Sequence, residues 1–278
     1  ALAFLTLHMP RLIQLSDPHL VAQADGRVRG RSALSLFRKA LDQALHEQPD
    51  LLLVTGDCCH DETWCGYVRL RDSLEDAIQK KPASAVRFGL MAGNHDHPQR
   101  LRAVLGRRCV VAPGMVEEGS WRLLVLSSHR AGGCTGLIGG AQMSWLMRQL
   151  REAQTLGKFV VVALHHPPVP IGDPAMDPIG LLDGMQLMEA LQTYPVVRAV
   201  LFGHIHQHWQ GVPALQSDFS LLGCPSTLAS FDPVQPCPLG RAWDPGGRVL
   251  DLMGDGSVRE RLMRWSAGQD DGWLNQIV

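Results

Sequence analysis

The chain has 278 residues, with 26 Lys plus Arg, 27 Asp plus Glu and a formal net charge of -1. Hydrophobic residues make up 45% and charged residues 19%, enough for a substantial core and too apolar for a disordered chain. There is no basic run to bind nucleic acid or a membrane surface, and no apolar stretch nears the roughly 20 residues that span a bilayer.

Residues 1–10 are expected to be an N-terminal extension, with Met9 a candidate natural start. The first predicted strand is Arg11 to Leu15, followed by a Gly/Asp/Arg loop from Ala24 to Arg31. A helix is expected over Ser32 to Glu47, with Ser32 as N-cap and Leu34, Phe37, Leu41 and Leu45 on one face. Leu51 to Val54 reads as a buried strand, Trp64 to Gln79 as a helix and Phe88 to Met91 as a third strand. Leu101 to Leu105 falls in a short helix. Further strands are expected at Trp121 to Leu126, Phe159 to Leu164 and Ala199 to Phe202, with helices near Gln142 to Gln154 and Gly184 to Thr193. Beyond Gly203 the pattern turns to short strands: Gln207 to Gln210, Ser220 to Leu222, Arg248 to Leu252 and Val258 to Met263. Strand and helix alternate first, and strands close the chain. This predicts one α/β domain over 11–265, with two packed sheets and a tail at 266–278.

Seven cysteines, an odd number with no CxxC pair, argue against a secreted disulfide framework. They are expected to be buried or half-buried thiols, with a reducing cytoplasm as the compartment.

The histidines carry the functional signal. Nine of the twelve (His19, His60, His95, His97, His165, His166, His204, His206 and His208) gather in five short regions, each just after a predicted strand. Their cores read Ser16-Asp17-Pro18-His19, Thr55-Gly56-Asp57, Gly93-Asn94-His95-Asp96, His165-His166-Pro167-Pro168 and Gly203-His204-Ile205-His206. Loops at the carboxyl edge of an α/β sheet are where ligands collect. Alternation along an extended segment points His204 and His206 to the same face. Imidazole and carboxylate with one amide and no thiolate suits Mn, Fe or Zn.

These five segments, in this order, resemble the calcineurin-like metallophosphoesterase superfamily from about Arg11 to Trp265, and within it the bacterial 3′,5′-cyclic AMP phosphodiesterases most. Gly136 through Gln142 to Trp145-Leu146, and Gly223-Cys224-Pro225-Ser226-Thr227 followed by Phe231, are further points of similarity to that subgroup. The resemblance implies an α/β four-layer sandwich of two mixed β-sheets flanked by helices. It also implies two divalent metal ions, Mn or Fe before Zn. Asp17, His19 and His206 would hold the first, Asn94, His165 and His204 the second, and Asp57 would bridge them. His165 is preferred to His166 because the family ligand lies two positions before the proline. His95 would be the catalytic acid, with Asp96 shaping its loop. Many relatives orient that histidine with an Asp three residues after the bridging one. Here His60 stands there, and Asp61, one position on, is the candidate substitute.

The implied activity is hydrolysis of a small-molecule phosphodiester, cyclic AMP to 5′-AMP before others, by a metal-bridging hydroxide. Two divalent ions with Asp17, Asp57 and hydroxide leave the site at about +1, matched to a diester monoanion. Ions about 3.5–4 Å apart would activate a bridging water and clamp an in-line displacement. The absence of Arg just after Asp57 favours a diester over a monoester. The rivals are a broad phosphodiesterase on glycerophosphodiesters or other nucleotides, and a metal-binding scaffold without turnover. Cys58 and Cys59 are read as structural, His166, His97 and His208 as neighbours of the site, and Arg29 and Arg31 as solvated. Trp145 and Leu146 are read as core, and His8, His46 and His129 carry no signal.

Overall fold

Alternation along the strands sorts side chains into two apolar interfaces, and the layering follows from that. The computed structural model describes residues 9–80, 86–213 and 219–266. The expected extension and tail therefore lie outside the described residues, apart from Met9, Pro10 and Ser266.

The elements in chain order are β1 (Arg11–Leu15), β2 (Arg27–Val28), β3 (Arg31–Ser32), α1 (Ala33–His46), β4 (Leu51–Val54), α2 (Trp64–Lys80), β5 (Arg87–Leu90), α3 (Pro98–Leu105), β6 (Val110–Val111), β7 (Gly114–Glu118) and β8 (Trp121–Val125). Then follow α4 (Gly140–Thr155), β9 (Phe159–Leu164), α5 (Gly184–Gln192), β10 (Val197–Phe202), β11 (Trp209–Gly211), β12 (Ser220–Gly223), β13 (Gly246–Leu252) and β14 (Val258–Arg264). One six-stranded sheet has the order β14-β13-β1-β4-β5-β6 and the other β11-β12-β10-β9-β8-β7. Both are mixed. β1, β4, β5 and β6 run parallel, as do β8, β9, β10 and β12, while β13, β14, β7 and β11 join antiparallel at the flanks.

Leu12, Leu51 and Leu53 of the first sheet meet Ala199, Leu201 and Leu222 of the second in one buried cluster. Their strand neighbours Ile13, Leu52 and Val54 face the opposite way, against Phe37 and Leu41 of α1 and Leu70 of α2. Val200 and Phe202 likewise turn outward onto Leu146 and Leu150 of α4 and Leu187 of α5. A period of two across each strand therefore builds helix, sheet, sheet and helix in sequence. The expected four-layer sandwich of two mixed sheets is the fold observed.

Local differences have local causes. Ser32 does sit at the N-cap of α1, but its side chain makes no capping hydrogen bond, and its backbone is paired in the β2–β3 hairpin. That hairpin lies inside the stretch expected to be loop, and two-residue strands carry too little pattern to be seen. The strand expected at Gln207 to Gln210 begins only at Trp209. The edge strand β7 was not expected, since Gly114-Met115-Val116-Glu117-Glu118 is short and half polar. All seven cysteines are free: Cys58, Cys59 and Cys224 are buried as expected, but Cys65 and Cys134 are exposed. Among the described residues no helix is long and apolar enough to cross a membrane.

Candidate metal centre

The five segments all follow parallel strands (β1, β4, β5, β9 and β10), so the two sheets deliver them to one shared carboxyl edge. The edges are stitched together by main-chain and side-chain hydrogen bonds. Gln14 Nε2 donates to the Phe202 carbonyl at 3.1 Å, Asp17 N to Gly56 O at 3.1 Å, and Gly203 N to His165 O at 3.0 Å. Eight described non-glycine residues have positive φ, and five of them are Asp17 (52°), His19 (47°), Asp57 (45°), His204 (69°) and His206 (49°). Each such conformation costs on the order of 1–3 kcal/mol and persists where the surroundings enforce it. Gly93 is required by crowding: a β-carbon there would collide with Asp57 Oδ1 and His165 Cε1.

Two groups of donor atoms converge on either side of Asp57. On one side His19 Nε2 faces His206 Nε2 at 3.2 Å and Asp57 Oδ2 at 3.6 Å, and His206 Nε2 lies 3.3 Å from Asp17 Oδ1. On the other, His165 Nε2 is 3.2 Å from Asn94 Oδ1, 3.2 Å from His204 Nδ1 and 3.5 Å from Asp57 Oδ1. The two oxygens of Asp57 are thus divided between the two groups. Ligands about 2.1 Å from one ion, at tetrahedral or near-right angles, lie about 3.0–3.4 Å apart, which is the spacing found. Asp17, His19, Asp57 and His206 form one group able to hold a metal ion, and His165 with His204 belongs to a second. His166 also lies near that second group, but both its ring nitrogens are engaged. It accepts from Ser128 Oγ at 2.8 Å through Nδ1 and donates to Cys134 O at 3.1 Å through Nε2. His165 has its Nε2 turned to the site.

The electrostatics call for cations. Burial first, and the negative Asp17 second, push the Asp57 carboxyl up to about 7. Burial also lowers His165 and takes His19 and His204 well below the ordinary imidazole value, so the rings are neutral with lone pairs available. Two adjacent buried carboxylates with the neutral imidazoles of His19, His165 and His204 beside them fit divalent ions.

His95 sits beside this cluster, its backbone N–H donating to Asp57 Oδ1 at 2.9 Å. Asp96 is buried beneath, accepting from the backbone N–H groups of Gly93, Cys58 and Cys59, each at 2.9 Å, and from the Tyr67 hydroxyl at 3.1 Å. Burial, then Asp57, raise its carboxyl to about 7. Asp61 does not take the place expected of it. It turns away to accept from Ala22 N and Thr63, while His60 lies flat on His95 with ring centroids 4.9 Å apart. Cys58 and Cys59 also point elsewhere, their thiols directed at Met91 O and at Asp61 with Thr63 O.

Sequence reasoning missed several neighbours. His129 donates from Nδ1 to Gly93 O at 2.9 Å, and Ser128 pairs with His166. Both follow β8 at the same sheet edge, so the strand-end rule would have found them had it been applied to a sixth strand. Arg31 is not solvated. It is 4% exposed and donates to Leu228 O. Arg29 sits over the Phe231 ring at 4.5 Å, and Phe231 stacks on His206 at 4.5 Å. His208 is buried against Arg248, which donates to its Nδ1.

A sandwich whose strand ends present this donor set is a phosphoesterase scaffold, and the chain belongs to the calcineurin-like phosphoesterase family, whose pattern matches residues 10–208. It is 78% identical over 259 residues to a "probable cyclic nucleotide phosphodiesterase" of Synechococcus sp. (strain WH7803), covering 93% of this chain and 98% of that one. It is 34% identical over 256 residues to a 3′,5′-cyclic adenosine monophosphate phosphodiesterase of Pseudomonas aeruginosa, covering 91% and 89%. Among solved structures, a dimetal phosphatase from Danio rerio superposes with a TM-score of 0.62 at 14% identity, covering 92% of this chain and 99% of that one.

Proposed function

We propose that this chain hydrolyses 3′,5′-cyclic nucleotides, cyclic AMP before others, to nucleoside 5′-monophosphates. The observation that carries the reading is Asp57, one carboxylate with each oxygen turned to a different group of converging ligand atoms. The substrate class rests on the names of the relatives, which are similar along nine-tenths of the chain.

In this reading Asp17, His19 and His206 would hold one ion, Asn94, His165 and His204 a second, and Asp57, between the two groups, would serve both. Two divalent ions there would activate water and neutralise charge on the transferring phosphoryl group. Mn or Fe suits the N and O ligands best, with Zn a third choice. The chain's own contribution is placement. Thr55 O and Ala229 O accept from Nδ1 of His165 (2.7 Å) and His206 (3.1 Å), which leaves each Nε2 free to bind. Asp96 ties the turn after β4 to the turn after β5, holding Asp57 and His95 in register. His95, whose backbone N–H donates to Asp57, would give a proton to the departing 3′-oxygen.

Metal-free protein reconstituted in turn with Mn, Fe or Zn tests the reading on cyclic AMP, bis-p-nitrophenyl phosphate and p-nitrophenyl phosphate. A larger kcat/KM for the diesters is expected. Preference for the monoester would overturn it in favour of a phosphatase. Two bound ions without turnover of any substrate would overturn it in favour of a scaffold.

A further inference from the structure

His60 stands where the resemblance would place a carboxylate, and its contacts give it a use of its own. A metal-binding imidazole needs its other nitrogen engaged, because that hydrogen bond fixes the tautomer and the ring plane. His165 and His206 use backbone carbonyls, which only accept and which no substitution removes. His19 differs: its Nδ1 meets His60 Nδ1 at 3.1 Å. With Nε2 of His19 turned to His206 and Asp57, its single proton belongs on Nδ1 and donates to His60. His60 must then carry its own proton on Nε2. The same His60 ring stacks on His95 at 4.9 Å with an interplanar angle of 23°, and His19 meets both rings edge-on at 5.2 and 5.1 Å.

We infer that His60 is a positioning residue that fixes His19 as the Nδ1–H tautomer, leaving its Nε2 lone pair for a metal ion, while its stacked ring holds the plane of His95. This rests on the metal-site reading proposed above. It makes His19 depend on a side chain that is exposed at the rim, whereas His165 and His206 are held by main-chain carbonyls.

The test is a Mn(II) titration of the metal-free protein by calorimetry, with ¹⁵N-histidine NMR of the same metal-free samples. His60→Ala and His60→Phe remove the acceptor, and the ion on the His19 side should bind about 10- to 100-fold more weakly while the other is unchanged. His60→Asn places an amide oxygen where His60 Nδ1 lies and should restore most of that affinity. In the NMR experiment the Nδ1–H form of His19 should be present in the wild type and in His60→Asn, and lost in His60→Ala. Unchanged affinity in His60→Ala, equal weakening of both ions, or a His60→Asn as weak as His60→Ala would each overturn the inference. A wild type that binds no pair of ions would overturn the metal reading instead. The NMR comparison would still judge the His19–His60 pair on its own.

Discussion

Arg248 and the candidate ligand histidines His19, His165, His204 and His206 are similarly buried, yet their surroundings follow opposite rules. The guanidinium of Arg248 donates to Gly223 O, Glu260 Oε2, His208 Nδ1 and Trp209 O at 2.6–3.0 Å, and so ties β13 of one sheet to β11 and β12 of the other. Donors meet acceptors and the charge has a counter-charge, so nothing remains for a ligand to do. Around Asp57 the pattern inverts. Carboxylate oxygens lie near carboxylate oxygens, imidazole nitrogens face one another, and the backbone is held at positive φ in five places. A buried polar network that satisfies itself is structural, and one whose lone pairs converge on common points is suited to something that binds. Burial alone does not tell the two apart, but the sign of the contacts does.

Asp57→Asn should break the comparison most sharply, because it moves activity and stability in opposite directions. Hydrolysis of cyclic AMP should fall by about 10⁴-fold or more if, as proposed, Asp57 is a ligand common to two ions. The metal-free form should instead gain stability at pH 8. Asp57 is raised from an ordinary carboxylate value near 4 to about 7, so its favourable contribution is complete below about pH 4 and lost as pH rises to about 7. Thermal melts of metal-free wild type should therefore decline across that window, and Asp57→Asn should flatten the decline. A metal-free Asp57→Asn protein that melts lower at pH 8 would place Asp57 in a self-satisfied network like that of Arg248.

His95→Ala comes next. If the ring protonates the departing oxygen, cyclic AMP hydrolysis should drop by about 10²–10⁴-fold. Bis-p-nitrophenyl phosphate, whose leaving group is stable as an anion, should suffer far less, with metal content unchanged. Equal losses on both substrates would show that His95 positions phosphate or ions instead.

On the structural side, Arg248→Met should lower the unfolding free energy by about 3–5 kcal/mol, because Glu260, His208 and two carbonyls lose their buried donor. Denaturant titration reads the loss, and the kcat of the protein that remains folded should hold. A large fall in kcat would mean that this network also shapes the site.

The smallest effect concerns acid stability. Burial first, and the neighbouring Arg248 second, lower His208 to about 4. The neutral ring stabilises the fold fully above its unfolded value near 6.5, and this is lost as pH falls toward 4. The total is on the order of 3 kcal/mol over that window. His208→Asn keeps an acceptor for Arg248 and cannot titrate, so its acid limb should be shallower. Identical pH profiles for mutant and wild type would discard the assignment.

How much of this was legible beforehand depends on the range of the cause. The donors after β1, β4, β5, β9 and β10 could be read because strand, tight turn and ligand type follow one another within a few residues. The helix face of Leu34, Phe37, Leu41 and Leu45 was equally plain, and all four are buried. Spacing left open whether Asp61 stands in for the missing carboxylate, and its contacts lie elsewhere. A one-residue step turned its side chain toward Ala22, and His60 took the contact with His95. The contacts of Arg31 with Leu228 and of Phe231 with His206 were not visible, since each crosses a gap in sequence that no local pattern encodes, whereas His129 follows a strand end and was legible in principle.

The sequence by itself determined the layered α/β architecture and the set of chemical groups at the sheet edge. Strand periodicity and turn chemistry act over a few residues, and the groups were legible through them. Only the tertiary structure decided which nitrogen of each ring faces the centre and what holds the other. Those choices depend on partners such as Thr55 for His165, His60 for His19 and Ala229 for His206, separated by 110, 41 and 23 residues. The first of these exists only once the two sheets have packed, and the other two only once neighbouring strands of one sheet have paired and brought the turns that follow them together.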